Sequence, residues 1–399
     1  MDTLGLYISI PFCRSKCTYC NFASGVFPSS YFGQYVAHLE HDLCAIREHA
    51  AQWNAAIPEI VNTIYLGGGT PSLLPPHLIA RLFSAIRREF IVLPNAEIAM
   101  ECAPGQLEDA TLAAMIESGV NRISFGVQSF IDAEAKHTGR LHTREIVLRD
   151  IDRVRKAGVS RVNADLIAGL PGQTHDSWRE SLRVLADTGV DHASIYMLEV
   201  DEDSRLGREV ASGGLKYYAP LVPPDEAIVD MYSEAVDFLA AHGLAQYEIS
   251  NFARDGRESQ HNLKYWQRKP YVGLGLDAHS MLKTDRGLRA HSGSAMRFAT
   301  TDELETYLAS SGWSEPHRLS PEEEFEEAWF LGLRPNSGVN LSDLRAEFGS
   351  AAVESVHPVL TDLECNGLIR WTADQIALTP RGRLVSNEVF ERFLAVPAA

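Results

Sequence analysis

From the N-terminus to about residue 215, short apolar runs alternate with longer stretches of helical periodicity. Tyr7-Ile8-Ser9-Ile10, Ile64-Tyr65-Leu66 and the segments 96–100, 122–127, 161–164 and 193–198 read as strands. Each ends in glycine or polar residues, and a helix-like stretch follows. Such alternation predicts a parallel sheet with helices outside. Six units fall short of a closed eight-unit barrel, so the expected class is α/β, a partial (β/α)6 TIM-like barrel. In parallel barrels the C-terminal strand ends build the active site. Here those ends carry Cys13, Cys17 and Cys20, the turn Gly67-Gly68-Gly69-Thr70, and the polar residues Glu101, Gln128 and Asp165. Singly, each polar residue reads as a cap or surface group. Their recurrence at successive strand ends points to one shared site.

Beyond residue 215 the pattern changes. Segment 225–242 reads as an amphipathic helix stopped by Gly243. Then come Tyr247 to Ala253, the run His261-Asn262-Leu263-Lys264-Tyr265-Trp266, and a glycine-rich turn over 273–280 that includes His279. The stretch from about 311 to 320 reads as a linker, with Ser310-Ser311-Gly312 at its start and Pro316 within it. Ser320-Pro321-Glu322-Glu323 has the makings of a helix start. Helices over 324–331, 341–348 and 351–366, a hairpin over 367–371 and 375–379, and a helix from 380 towards 394 resemble a winged helix. Segment 341–348 has too few basic residues for a recognition helix, so a cap over the barrel or a docking module is expected. The division expected is 1–215 for the core barrel, 216–310 for an extension and 311–399 for the C-terminal domain.

Charge narrows the partners. Lys and Arg number 36 against 53 Asp and Glu, a net −17, which argues against nucleic acid or anionic membrane as the main partner. No apolar run approaches the roughly 20 residues that span a bilayer. The first residues show no secretory pattern, so a cytoplasmic protein is expected, and disulfides are not. Of the six cysteines, Cys44, Cys102 and Cys365 lie outside the first loop. Cys44 and Cys365 fall in helix-like patterns and are expected to be packed in the interior.

Cys13, Cys17 and Cys20 have CxxxCxxC spacing directly after a strand. Iron–sulfur cubanes are normally held by four thiolates. Three on a tight loop would leave one iron open to a small molecule. Structural zinc sites complete four ligands, usually with a second arm that is not obvious here. The stretch from Pro11 to Phe22, with Tyr19 between the last two cysteines, closely resembles the radical S-adenosylmethionine (radical SAM) signature. That resemblance implies a [4Fe-4S] cluster whose open iron is chelated by SAM. The triple-glycine turn resembles the family's GGE-like motif, which holds the methionine amino group.

The resemblance narrows to the branch containing oxygen-independent coproporphyrinogen III dehydrogenase and the HemW-type haem chaperones. It rests on Tyr7 to Cys13, Gly67 to Leu73, Glu101 to Gly105, Gly126 to Phe130, Gly139-Arg140-Leu141-His142 and Asp165 to Gln173, and spans nearly the whole chain. It implies SAM contacts by Tyr7, Tyr19, Gly68, Gly69, Thr70, Glu101, Gln128, Arg140 and Asp165. From spacing alone His261 reads as a structural histidine in an aromatic cluster. The resemblance reverses that reading, because HNxxYW marks HemW-type proteins and is implicated in haem binding. It makes His261, Asn262, Tyr265 and Trp266 the expected haem site, with His279 as a second ligand candidate. One departure is Asp201-Glu202-Asp203-Ser204, where the family often shows Glu-Pro-Gly-Thr. A turn is still expected there.

Two functions follow. One is a haem chaperone that passes haem to an acceptor protein. The other is radical decarboxylation of coproporphyrinogen III. The dehydrogenase signature has a further cysteine where this chain has Phe22, carries an N-terminal extension and lacks HNxxYW. The chaperone reading is therefore preferred, and whether the chain is an enzyme is left open. Haem and an acceptor, a respiratory haem protein among the possibilities, are the expected partners. Peripheral contact with membrane proteins is also expected, nucleic acid is not, and the sequence leaves the oligomeric state open.

Overall fold

The computed structural model describes residues 2–284, 295–309 and 312–394. Strands β1 (Leu4–Ile10), β2 (Ala55–Ala56), β3 (Ile60–Gly68), β4 (Ile91–Cys102), β5 (Arg122–Gln128), β6 (Arg161–Ala168) and β7 (His192–Met197) come first. All but the short β2 lie parallel, in the order β1-β3-β4-β5-β6-β7. Helices α1 (Ser30–Gln52), α2 (Pro76–Glu89), α3 (Asp109–Glu117), α4 (Asp132–His137), α5 (Arg144–Lys156), α6 (His175–Thr188) and α7 (Arg205–Ser212) fill the connections and follow β7. Period-two alternation explains the layering. In β1, Leu6, Ile8 and Ile10 are fully buried with Leu39, Leu43 and Ile46 of α1, while Tyr7 and Ser9 face the other way.

The sheet runs on past residue 215. Helix α8 (Asp225–Ala241) leads to β8 (Ala245–Gln246) and β9 (Asn251–Ala253), and β9 pairs antiparallel with β7. Helix α9 (Gln260–Trp266) then returns the chain to the opposite edge. There β10 (Tyr271–Gly275) adds a seventh parallel strand beside β1. Strands β11 (His279–Thr284), β12 (Ala295–Ala299) and β13 (His317–Arg318) extend it antiparallel. The open barrel thus ends at β8 on one side and β13 on the other. The glycine-rich turn expected over 273–280 is largely strand: Gly273 and Gly275 lie in β10, and the turn itself is 276–278, with Asp277 at φ 52°. Helix α10 (Leu304–Ala309) packs on α1, where the Tyr307 hydroxyl donates to Asp42 at 2.6 Å. Ser310 and Ser311 of the expected linker lie outside the described residues.

The C-terminal part has a core of its own. Helix α11 (Pro321–Gly332) starts with a capping box in which Ser320 and Glu323 satisfy each other's backbone N–H. Strand β14 (Val339–Asn340), α12 (Leu341–Phe348), α13 (Ser350–Ser355), α14 (His357–Cys365), β15 (Ile369–Thr372), β16 (Gln375–Leu378), α15 (Pro380–Leu384) and α16 (Ser386–Leu394) complete it. Its sheet has the order β14-β16-β15, the winged-helix arrangement. The single helix expected over 351–366 breaks at Val356, because Pro358 has no N–H to donate. The last helix likewise breaks at Val385. Two burial expectations fail: Cys44 and Cys365 are exposed, and of the three cysteines outside the first loop Cys102 alone is buried. Cys44 sits on the outer face of α1 beside Glu89.

This domain docks onto the barrel. Asn336 donates through its backbone N–H to the Tyr247 carbonyl at 2.9 Å and through its side chain to the Gln246 carbonyl at 2.6 Å. Arg268 after α9 makes a bidentate pair with Glu347 of α12, and Arg297 of β12 pairs with Glu327 of α11.

Candidate cofactor site in the barrel mouth

The loop after β1 is pinned at both ends. Cys13 donates its N–H to the Gly25 carbonyl at 2.9 Å, and Gly25 donates back to Pro11 at 2.9 Å. Lys16 folds over it, its ammonium donating to the carbonyls of Phe22 and Ser24, each at 3.0 Å. The start of α7 closes the other side: Leu206 N–H reaches the Thr18 carbonyl at 2.8 Å, and Asn21 donates to Asp201 at 2.8 Å. The variant turn at 201–204 forms as expected, with Asp201 accepting from Asp203 N–H and Ser204 capping α7.

Cys13, Cys17 and Cys20 line one cavity of about 750 Å³. Hydroxyls stand near two of the sulfurs: Thr70 Oγ1 lies 4.0 Å from Cys13 Sγ, and Ser24 Oγ 3.9 Å from Cys20 Sγ. Burial holds the Cys13 thiol above its ordinary pKa, and a bound metal would deprotonate it. Among the described residues no three His, Cys, Asp or Glu side chains converge as one metal ion would need. Three thiolates spread around one cavity suit a multi-iron cluster better than a single tetrahedral ion.

The cavity brings together eight of the nine expected SAM residues: Tyr19, Gly68, Gly69, Thr70, Glu101, Gln128, Arg140 and Asp165. Gly68 has φ +95°, and a Cβ at Gly69 would stand 2.7 Å from the Ile10 carbonyl oxygen, so the turn needs glycine at both positions. Gln128 sits at φ 69° where β5 bulges against β6, an uncommon conformation for a residue with a side chain. Its Oε1 is buried without a hydrogen-bond partner, and so is Nε of Arg140. An acceptor and a cationic donor are therefore unspent in the cavity wall. Opposite charges stand nearby. Burial first, then repulsion from Asp165, raises the Glu101 carboxyl to about 7, against the bonds it accepts from the Tyr65 hydroxyl at 2.9 Å and from Gly68 N–H. Burial also raises Asp165, which Ser194, Asn163, Arg140 and Ser124 partly offset. A zwitterionic amino-acid end finds carboxylates for its ammonium and a guanidinium for its carboxylate. The donor set thus fits both groups: the three cysteines would hold a cluster, and the strand-end residues would hold SAM. When bound, the pair supplies one-electron chemistry, while this chain binds, orients and shields it.

Tyr7 is the exception. It lines a smaller cavity of about 270 Å³ with Tyr265, Trp266, Tyr271, Asp277, His279 and Arg297. Its ring stacks near Tyr65, and its hydroxyl would lie 3.5 Å from a Cβ on Gly68, so it supports the glycine turn from behind. The expected haem residues also lie outside the main cavity. His261 is 1% exposed. Its Nδ1 is 3.0 Å from Thr63 Oγ1, its Nε2 is 2.7 Å from the Tyr265 hydroxyl, and burial lowers its pKa to about 3. Neither ring nitrogen is free, so in this conformation the histidine is a structural one within an aromatic cluster. Trp266 carries the Arg334 guanidinium 4.3 Å above its ring. His279 is exposed.

Sequence reasoning missed the lumen of the barrel. Asn163 donates to Ser124 at 2.7 Å and to Asp165 at 2.6 Å, and accepts at 2.7 Å from the buried His192. The signal was a polar residue recurring at alternate positions of otherwise apolar strands. It also missed Tyr232, Arg334 and Arg383, which line the main cavity from outside the six units.

Comparison with known proteins gives the family. The radical SAM superfamily pattern matches residues 7–197, and the HemN C-terminal domain pattern matches residues 319–385. Heme chaperone HemW of Bacillus subtilis (strain 168) is 34% identical over 97% of this chain and 98% of its own length. Heme chaperone HemW of Escherichia coli (strain K12) is 30% identical over 99% of both chains. The solved structure of the Escherichia coli coproporphyrinogen III oxidase HemN, a radical SAM enzyme, superposes with a TM-score of 0.82 over 98% of this chain and 90% of that one, at 23% identity. That last likeness speaks to the fold alone. With similarity to HemW relatives along nearly its full length, the chain belongs to the HemW family of radical SAM proteins.

Proposed function

We propose that this protein is a haem chaperone that binds haem and hands it to an acceptor protein, with a [4Fe-4S] cluster and SAM bound in the barrel mouth. The observation that carries this is full-length similarity to relatives named for that role, at 30% and 34% identity, against 23% for the oxidase that shares the fold. The loop supports it locally: Cys20 is followed by Asn21 and an exposed Phe22, with no fourth cysteine. The HNxxYW helix is the haem-handling element. His261 serves as an iron ligand only after Tyr265 releases its Nε2, so loading involves an opening of α9. The acceptor is a respiratory haem protein, approached peripherally from the cytoplasm. Among the described residues no helix is long and apolar enough to cross a membrane.

The test uses anaerobically reconstituted protein in two arms. Haem is titrated and its absorbance band followed, and coproporphyrinogen III is incubated with SAM and a reductant. Stoichiometric haem binding without decarboxylation is expected. Turnover to protoporphyrinogen would overturn the assignment.

A further inference from the structure

The main cavity has a second wall that the cluster and SAM residues do not use. Tyr232 and Ile249 build it from the barrel side, and Arg334, Arg383 and Val385 from the C-terminal domain. Two guanidiniums stand in it, and most of their hydrogen-bonding capacity is unspent. Arg334 has one carboxylate partner, Oε2 of the buried Glu248 at 3.9 Å, an ion pair too long for a hydrogen bond. Nε of Arg334 is buried without a partner. Arg383 donates to the Leu378 carbonyl at 3.2 Å and meets no carboxylate among the described residues. Both lie close enough to Tyr232 for their charge to act on its hydroxyl. Glu388 on the same wall is exposed and paired with neither.

Arg383 is a partly buried cation without an anion among the described residues, Arg334 meets its anion only through space, and guanidiniums are the side chains best suited to grip carboxylates. We propose that Arg334 and Arg383 form a carboxylate receptor that holds the propionate groups of haem, so that the tetrapyrrole enters the cavity that houses the cluster. This rests on the haem-chaperone reading and adds where the ligand lies. It also ties the HNxxYW helix to that cavity, because Arg334 lies on the face of Trp266. The C-terminal domain then does more than cap the barrel: it supplies the anion-binding wall.

The experiment titrates reconstituted protein with haemin and with haemin dimethyl ester, whose propionates carry no charge. The native protein is expected to prefer the free acid by at least about tenfold. Arg334→Gln and Arg383→Gln should each weaken haemin binding about tenfold and leave ester binding unchanged. Arg383→Gln removes one bond to a backbone carbonyl, so it carries the test should Arg334→Gln unfold in a thermal melt. Equal affinity of native protein for acid and ester, or an undiminished preference in Arg383→Gln, would overturn the receptor while leaving haem binding intact. A native protein that binds neither would overturn the chaperone reading, and the receptor with it.

Discussion

Gly126 and Arg140 occupy one another's space. A Cβ on Gly126 would stand 2.1 Å from Nη2 of Arg140, and that same nitrogen donates to the Gly126 carbonyl. The missing side chain is what admits the guanidinium to the cavity wall. Gly126→Ala should therefore expel Arg140 and weaken SAM binding by at least about tenfold, the loss of one charge-assisted bond. The cysteines are untouched, so cluster absorbance should persist. Equilibrium dialysis with labelled SAM checks the first statement, and the visible spectrum checks the second.

Glu101 makes the cavity sensitive to pH. Its carboxyl is raised from 4.5 to about 7, chiefly by burial. Between those values the folded chain holds a proton that the unfolded chain has released. Stability contributed by this group is therefore full below pH 4.5, falls as pH rises towards 7, and levels off above. The span corresponds to roughly 3 kcal/mol. Glu101→Gln should remove this share of the slope, as read by urea unfolding at pH 5 and pH 7.5. An unchanged slope would mean that Glu101 is ionised throughout.

The cysteines separate by location. Cys13→Ser, Cys17→Ser or Cys20→Ser should each abolish the cluster's absorbance after anaerobic reconstitution. Cys44→Ser should keep it, because Cys44 lies exposed on α1. A fully occupied cluster in Cys17→Ser would contradict the site.

His261 gives a sharper test of haem handling. The Tyr265 hydroxyl holds its Nε2 at 2.7 Å. Tyr265→Phe removes that competitor and should tighten haem binding by about two- to tenfold, the worth of one hydrogen bond. His261→Ala should weaken it and lower the melting temperature, since the hydroxyls of Thr63 and Tyr265 lose their partner. A lower melting temperature with haem affinity unchanged in both variants would leave His261 purely structural.

The barrel and the clustering of most candidate site residues were legible in the chain because they depend on local order. Period-two strands ending in glycine or polar residues mark both the sheet and its active rim, and eight of nine expected SAM residues meet in one cavity. What depends on distant pairing was not legible. Strand β10 joins β1 across some 260 residues of sequence, and nothing in Tyr271 to Gly275 names that neighbour. Tyr7 matched its motif position and stacks on Tyr65, but its side chain lines the smaller cavity. The burial of His261 depends on Thr63 and Glu97, both far away in sequence. Arg334 and Arg383 became visible only once the C-terminal domain was seen against the barrel mouth. Cys44 was misjudged because a helical period fixes a face, not which face is covered.

Haem departure from the loaded protein tests the central claim most directly. Reconstituted, haem-loaded protein is mixed anaerobically with membranes carrying a haem-free respiratory acceptor, and the haem band is followed in each fraction. A chaperone predicts that the rate of loss rises with acceptor concentration and exceeds the rate to a passive haem scavenger. A rate that is the same with either recipient, set by dissociation alone, would contradict it.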